Sequence, residues 1–338
     1  MQFFKKIAIL FLSFLITALI VLYFYLYVNG PITQAKSAIL IDATSGEVVY
    51  KKNESTPIHS ATLTKLMTEY IVLEQLHDGK IQLDEPVKIS NEVFQTETSP
   101  IQVTSKDKTT VRDLLHALLL TGNNRSALAL AEHIAGNEDN FTTLMNEKAE
   151  KLKLSQQSPF INSTGINGDK NKHSITTAVD ASKLAAQLIK DYPDVLTITK
   201  LPSYRFTFKD VQVFNTNKMI YSLDENIKLK GVDGLQTSFS TNGNYSFVGT
   251  AKQGDKRLIS IILEANEEST SFIETKKLLQ YGFEPTSYSA LQAFKDAVTS
   301  WTTLRQFENL FIQTIMIFFI ITILMFIHIR QKKSEDFN

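Results

Sequence analysis

The sequence has no cysteine among its 338 residues, and it has only one tryptophan and eight prolines. The absence of cysteine excludes disulfides, thiolate nucleophiles and cysteine metal sites, and it suits an exported protein that folds without oxidative help. The six histidines are scattered, without the His-Glu-x-x-His spacing of a zinc hydrolase. We therefore predict that the protein uses no metal and no cofactor.

The chain also lacks an excess of charge of either sign, because 35 Lys and Arg balance 35 Asp and Glu. Without a global field to attract phosphates, binding to nucleic acid is disfavoured. Charged residues are 21% of the chain and hydrophobic residues 43%. With this composition, the part between the two ends can bury a core as one large domain or two lobes.

Charge is missing from a stretch near each end. Residues 7–28 follow Lys5 and Lys6 and are long enough to cross a hydrocarbon layer of ~30 Å. Tyrosines rather than small residues lie at the end of this stretch, which favours an uncleaved signal anchor over a cleaved signal peptide. Residues 309–329 are predicted to be a second transmembrane helix rather than a buried or in-plane one, because apolar residues surround it and basic residues follow it.

The basic residues beside the two predicted spans indicate the topology. By the positive-inside rule, residues 1–6 and 330–338 are expected in the cytoplasm. Residues 32–284 would then form a domain outside the cell membrane, and residues 285–307, which are weakly patterned, would form a stalk.

The predicted domain has strands at both ends and helices between them, which indicates an α+β fold. Its antiparallel sheet should be closed by the first and last strands, with the helical part beside it. The predicted elements are a hairpin over residues 37–51, helices over 64–76, 111–120, 125–135, 141–154 and 177–189, strands over 232–239, 245–251 and 257–263, and a final helix over 271–281.

Three polar clusters stand out in this pattern. In the first, Thr62 and Lys65 are one helical turn apart, so a hydroxyl and an amine can act as nucleophile and base. Taken alone, this pattern favours a helix cap at Thr62. The second cluster, residues 121–123, lies between two predicted helices, where a plain turn is the alternative. The third, residues 231–239, enters a strand, and an ordinary strand edge would also explain it.

Together the clusters resemble the Ser-x-x-Lys, Ser-x-Asn and Lys-Thr-Gly motifs of penicillin-binding proteins and serine β-lactamases. Further runs are similar to the D-alanyl-D-alanine carboxypeptidase branch: Ala-Glu-His-Ile-Ala-Gly at 131–136, His-Ser at 173–174, Gly-Val-Asp-Gly-Leu at 231–235 and Lys-Lys-Leu-Leu-Gln-Tyr-Gly-Phe at 276–283. The similarity covers roughly residues 37–283. It implies a β-lactamase-like fold and a location in a bacterial cell membrane.

The resemblance also implies catalytic roles. Thr62 matches the serine that attacks the D-Ala-D-Ala amide of a peptidoglycan stem peptide, and Lys65 matches the lysine that takes its proton. Thr121 matches a proton-relaying serine, and Asn123 matches an asparagine that binds the substrate backbone. The histidines at 133 and 173 are predicted to be structural.

Substrate binding is implied for the third cluster. Gln236, Thr237, Ser238 and Phe239 match the strand whose lysine attracts the terminal carboxylate of the substrate. The backbone amides of Thr62 and Phe239 match the oxyanion-hole donors. Peptidoglycan stem peptides and β-lactams are the ligands that this resemblance suggests.

Each motif departs from the family pattern. Threonine at positions 62 and 121 keeps the hydroxyl but adds a methyl group. Gln236 replaces a cation with a neutral amide, Ser238 replaces a glycine, and residues 267–272 contain no arginine in compensation. Two interpretations stay open: a weakly active or altered hydrolase that uses Thr62, and an inactive relative that binds peptidoglycan or contacts a cell-wall enzyme.

Overall fold

The computed structural model describes residues 12–13, 16, 30–59, 61–96, 107–166, 174–239 and 244–285. Residues Thr33–Ser287 form one compact unit. The predicted spans, stalk and tails lie outside the described residues, except for Leu12, Ser13 and Ile16, which are helical, and Pro285. Within the described ranges, every helix is too short or too polar to span a bilayer.

The unit is built on a five-stranded antiparallel sheet in the order β2-β1-β9-β8-β7. The first strand thus pairs with the last, as predicted. Two small sheets, β3-β4 and β5-β6, lie outside it. The strands are β1 Ser37–Asp42, β2 Val48–Lys52, β3 Ile58–His59, β4 Ile175–Thr176, β5 Ser203–Arg205, β6 Gln212–Phe214, β7 Val232–Phe239, β8 Tyr245–Gln253 and β9 Lys256–Ala265.

Helices flank this sheet and connect its two halves. They are α1 Thr62–His77, α2 Asn91–Gln95, α3 Val111–Thr121, α4 Asn124–Ala135, α5 Glu138–Lys151, α6 Ala178–Asp191, α7 Val195–Thr199 and α8 Glu268–Phe283, with a 3-10 turn at Lys218–Ile220. The predicted α+β class is confirmed. The short helices α2 and α7 and the strands β5 and β6 were not predicted, because such short segments carry too few residues to show a period.

The middle strand β9 is buried on both faces, since successive side chains of a strand point to opposite sides. Ile259, Ile261 and Leu263 belong to the large core that the sheet shares with the helices α1 and α3 to α6. Leu258 and Ile262 pack with α8 on the other face. The sheet therefore separates α8 from the helical region.

The junction between α3 and α4 is fixed at both of its sides. Thr110 and Asp113 form a capping box that starts α3, and Gly122 ends it in the left-handed conformation with φ 62°. Asn123 then caps α4 by accepting a hydrogen bond from the backbone of Ser126 at 2.9 Å. The second motif is thus the turn between two helices, held by its own residues.

Two helix boundaries differ from the prediction for local reasons. The helix predicted over 141–154 is α5, which starts at Glu138 because the Asn137 side chain caps it, and which ends before Lys153 at φ 54°. The first predicted helix begins at Thr62, and the residue that precedes it, Ala61, makes no side-chain cap. Thr62 therefore occupies the first helical position rather than the cap, which removes that alternative.

Candidate active site

The three motifs meet at Gly122. A Cβ placed on this residue would lie 3.0 Å from Gln236 Nε2, 3.3 Å from the Thr237 carbonyl oxygen and 3.6 Å from Lys65 Cδ. Atoms of α1 and β7 thus lie close around the glycine of the α3–α4 turn. This glycine also needs the left-handed backbone, so both its conformation and its lack of a side chain are required here.

Lys65 supplies a buried amine. Its side chain is 4% exposed, and Nζ donates a hydrogen bond to the Thr164 carbonyl oxygen at 3.0 Å. Burial lowers the pKa of this amine to about 8, against the opposing attraction of the Glu69 carboxylate. A lysine with such a pKa is partly neutral near physiological pH, which is what a general base requires.

The Thr164 carbonyl belongs to a loop, residues 162–166, that the sequence did not mark as functional. Gly165 allows this loop to approach the start of α1, because a Cβ there would lie 2.6 Å from the Ala61 Cβ. One turn along α1, the Thr68 hydroxyl donates to the Ser163 carbonyl oxygen at 2.7 Å. The loop and α1 therefore position the amine together.

Thr62 and Lys65 lie one turn apart at the start of α1, so the helix places them on one side. The structure describes Thr62 by its backbone, with the Lys65 amide donating to the Ala61 carbonyl at 3.1 Å. Thr62, the predicted nucleophile, thus lies at the same end of α1 as Lys65.

The second motif shows two different environments. The Thr121 hydroxyl donates to the Ala117 carbonyl oxygen at 2.7 Å, one turn back along its own helix. Asn123 is buried at 4% exposure and caps α4. Of the two residues predicted to act in this second motif, Thr121 lines the cleft described below. Asn124, which sequence reasoning did not select, lines it too.

The third motif runs along β7, at the edge of the sheet. Gln236 is 1% exposed, and its Nε2 donates to the Thr237 carbonyl oxygen at 3.2 Å. The Thr237 hydroxyl lies 2.5 Å from the Thr216 hydroxyl, which donates to the Leu120 carbonyl at 3.0 Å. Because Thr216 has one hydroxyl proton, Thr237 is the donor between the two. Thr216 thus connects β7 to the end of α3. No pattern in the sequence marks this residue for that role.

Phe239 ends β7, where its backbone pairs with Tyr245 of β8. The backbone of Phe239 therefore lies in the strand that was predicted to supply an oxyanion-hole amide. That role of its amide stays a prediction. In this motif, Gln236 Nε2 and the Thr237 carbonyl oxygen lie closest to Gly122 of the second motif.

A cleft of about 360 Å³ opens where the motifs meet. Its charged lining residues, among those that the structure describes, are Lys65 and Glu268, and the Glu268 carboxylate is paired with Lys218. No cation takes the place of the missing lysine within this described lining. The lining residues are Lys65, Thr121, Gly122, Asn124, Ile166, Thr216, Thr237, Ser238, Tyr245, Ser246, Glu268, Ser271 and Phe272.

Other candidate residues have structural partners. Asp233, in the third motif, accepts two hydrogen bonds from Arg257 at 2.8 and 2.7 Å, which ties β7 to β9. His133 Nε2 lies 2.6 Å from the Glu85 carboxylate, and His173 lies outside the described residues. In the described part of the chain, no group of three or more His, Asp or Glu residues could hold a metal ion.

The fold and the positions of the three motifs define a domain of the penicillin-binding-protein type. Penicillin-binding protein D2 from Listeria monocytogenes, in its ampicillin-bound form, superimposes with a TM-score of 0.67 and 31% identity over 75% of this chain and 98% of that one. The peptidoglycan synthesis regulatory factor PBP3 from Streptococcus pneumoniae does so with a TM-score of 0.68 and 34% identity, over 74% of this chain and 73% of that one.

Sequence similarity narrows the class further. D-alanyl-D-alanine carboxypeptidase DacC from Escherichia coli strain K12 is 33% identical over 262 residues, which are 76% of this chain and 63% of that protein. The chain thus spans less than two thirds of this relative's length. Residues 27–267 match the family described as D-alanyl-D-alanine carboxypeptidase. The chain belongs to this family, which confirms the resemblance of its motifs.

Proposed function

We propose that this protein is a membrane-anchored hydrolase of the bacterial cell wall that removes the terminal D-alanine of peptidoglycan stem peptides through Thr62, with low activity. The observation that carries the proposal is the buried Lys65 amine, one turn from Thr62, with a pKa lowered to about 8 by burial. Burial of a titratable amine costs free energy, and perturbed pKa values of this kind are frequent at functional sites.

The reaction would follow from this geometry in two stages. The Thr62 oxygen forms a bond to the carbonyl carbon of the penultimate D-alanine, and its proton passes to the Lys65 amine. The bond to the terminal D-alanine then breaks, and the departing nitrogen takes up that proton. Water next attacks the ester on Thr62, which releases the shortened peptide and restores the hydroxyl.

The two predicted helices would hold this domain outside the cell membrane, with both termini in the cytoplasm. The positive residues beside the apolar stretches support that topology. Stem peptides are the substrate that family membership suggests, and β-lactams would be ligands of the same cleft.

A second candidate is an inactive relative that binds peptidoglycan or contacts a cell-wall enzyme. The observation that favours it is the charge at the third motif, where the neutral, buried Gln236 stands at the lysine position and the Glu268 of the cleft wall is paired with Lys218. A carboxylate ligand would find a neutral residue at the lysine position, so the affinity for a free terminus would be weak.

Intact-protein mass spectrometry of the full chain in detergent, with excess benzylpenicillin, separates the candidates. The hydrolase predicts an adduct on the wild-type protein that is lost in Thr62→Ala and forms faster in Thr62→Ser, because serine lacks the methyl group that restricts the attack. We expect the serine variant to react about 10-fold faster or more, which is a barrier change of about 1.4 kcal/mol.

Thr143→Ala is the matched control, because Thr143 is an exposed residue of α5 whose hydroxyl bonds within its own helix. This variant should form the adduct at the wild-type rate. An adduct that persists in Thr62→Ala would rule out Thr62 as the nucleophile. No adduct on any variant, and no D-alanine released from a stem peptide, would favour the inactive relative.

A further inference from the structure

A glutamate with no assigned role lies next to the candidate base. Glu69 is one turn after Lys65 on α1 and is 0% exposed. Both of its carboxylate oxygens are buried without a hydrogen-bond partner. Most buried polar groups in proteins are hydrogen-bonded, and an ionised carboxylate without such bonds costs several kcal/mol, so this group calls for a physical reason.

The helix places this carboxyl beside Lys65. Residues one turn apart lie on the same helix face, so both side chains leave α1 into the same part of the interior. The amine is directed to the Thr164 carbonyl, and neither oxygen of Glu69 is bonded to it. The two groups therefore act on each other through their charges, and burial strengthens that interaction.

The pKa shifts of the two groups have causes that agree with this arrangement. Burial lowers the pKa of Lys65, and the Glu69 charge opposes that change. Burial also raises the pKa of Glu69 well above its ordinary value, and the Lys65 charge opposes it. The ammonium and the carboxylate thus stabilise each other's charged forms.

Charged groups on the elements packed against α1 have other partners. The β8 strand contributes only the exposed Lys252. Buried or half-buried examples are Asp113 of α3 with Thr207, Arg125 of α4 with the Phe94 carbonyl, Glu132 of α4 with Ser90, Glu138 of α5 with Ser163, Lys148 of α5 with Glu74 of α1, Asp180 and Asp191 of α6 with Ser155 and Tyr70, and Asp233 of β7 with Arg257.

We propose that Glu69 is a positioning residue for the candidate base, and that its buried carboxyl sets how readily the Lys65 amine takes up a proton. When the amine accepts the proton of the Thr62 hydroxyl, the new ammonium is stabilised by the negative charge of Glu69. Without it, the amine would be a weaker base in the same apolar surroundings. The inference rests on the proposed role of Lys65, but its main test needs no turnover.

The test is an NMR titration of the full chain in detergent micelles with ¹³C-labelled lysine. The Lys65 signal is assigned by its loss in Lys65→Arg. In Glu69→Gln, which keeps the shape and removes the charge, the midpoint of the Lys65 titration should fall by about one pH unit, a 10-fold loss of proton affinity. If turnover occurs, the rising limb of its pH profile should move to lower pH by the same amount.

Glu274→Gln is the matched control. Glu274 is equally buried, at 1% exposure, but belongs to α8 on the other side of the sheet. This variant should leave the Lys65 midpoint unchanged. A Lys65 midpoint that stays constant or rises in folded Glu69→Gln would overturn the proposal.

Glu69→Met, an apolar side chain of similar size, is a second variant in case the glutamine destabilises the fold, and it should cause the same fall. The wild-type protein gives a check without any variant, because one glutamate ¹³Cδ signal should titrate well above the ordinary range. If all glutamates titrate normally, the proposal is wrong. If the Lys65 midpoint falls as expected in Glu69→Gln but no adduct forms on Thr62, the proposed hydrolase activity is refuted. The interaction between Glu69 and Lys65 then still stands.

Discussion

At the scale of single residues, the candidate base and the position expected to bind a carboxylate have different side chains and different surroundings. Lys65 is buried with its amine directed to the Thr164 carbonyl, whereas the position that attracts a carboxylate in related motifs holds Gln236. Proton transfer and recognition of a charged terminus are therefore separable in this protein. Each can be tested by a measurement that does not depend on the other.

The pH dependence of the reaction tests the base. Since burial lowers the pKa of Lys65 to about 8, the amine is charged below that pH and neutral above it. A base acts in its neutral form, so the rate of benzylpenicillin acylation should rise with pH and level off above about 8. A rate that is flat between pH 6 and 9, measured by adduct formation, would contradict the role of Lys65.

Restoring a cation at position 236 tests carboxylate recognition. In Gln236→Lys, the affinity for a peptide ending in D-Ala-D-Ala should increase about 10- to 100-fold, because a charge-assisted hydrogen bond replaces a neutral one. Calorimetry at pH 6 is suitable, because a lysine at this buried position needs a pH well below the pKa of Lys65 to carry its charge. The same peptide with its terminal carboxylate amidated is the control, and an equal gain for both peptides would contradict the explanation.

At the scale of the elements, the site depends on how closely α1, the α3–α4 turn and β7 approach each other. Gly122→Ala tests this contact. Alanine in the left-handed backbone should lower the free energy of unfolding by about 1 kcal/mol. The contact of the added methyl with the Gln236 amide at 3.0 Å should lower it by about 1–3 kcal/mol more. Urea unfolding measures the total.

Gly136→Ala is the matched control for that experiment. Gly136 ends α4 at φ 81°, also left-handed, but a Cβ there meets nothing within 4 Å. Gly136→Ala should therefore lower the free energy of unfolding only through the backbone conformation, by about 1 kcal/mol. Equal losses in the two variants would show that Gly122 matters for its conformation and not for the packing of the motifs.

The elements also show what sequence reasoning can reach. Strand β7 was predicted at its observed bounds, and the β1 hairpin was found, because alternating side chains and a glycine turn are local signals. Thr164, Thr216 and Glu69 were not selected, since their importance comes from neighbours distant in sequence or from burial. The motifs were recognised by residue type and order, which is why altered residues such as Gln236 could still be placed.

At the scale of the whole molecule, the predicted topology can be tested cleanly because the natural chain has no cysteine. A single cysteine at the exposed Lys209 should react with a membrane-impermeant maleimide in intact cells. One at Ser334, in the predicted cytoplasmic tail, should react only after the membrane is permeabilised. Protection of Lys209→Cys in intact cells would contradict an outer domain.

The place of β9 in the sheet has a consequence for how the chain is made. This strand lies between β1 and β8, yet it is the last strand to be synthesised, and Ser37 pairs with Leu263. Until it arrives, the β1–β2 hairpin and the β7–β8 pair have no strand to join them, and each keeps an open edge. A chain that stopped before Lys256 would contain every motif of the cleft but no sheet to hold them together. Closing contacts so distant in sequence is slow, so the domain should acquire its cleft only in the last step of folding.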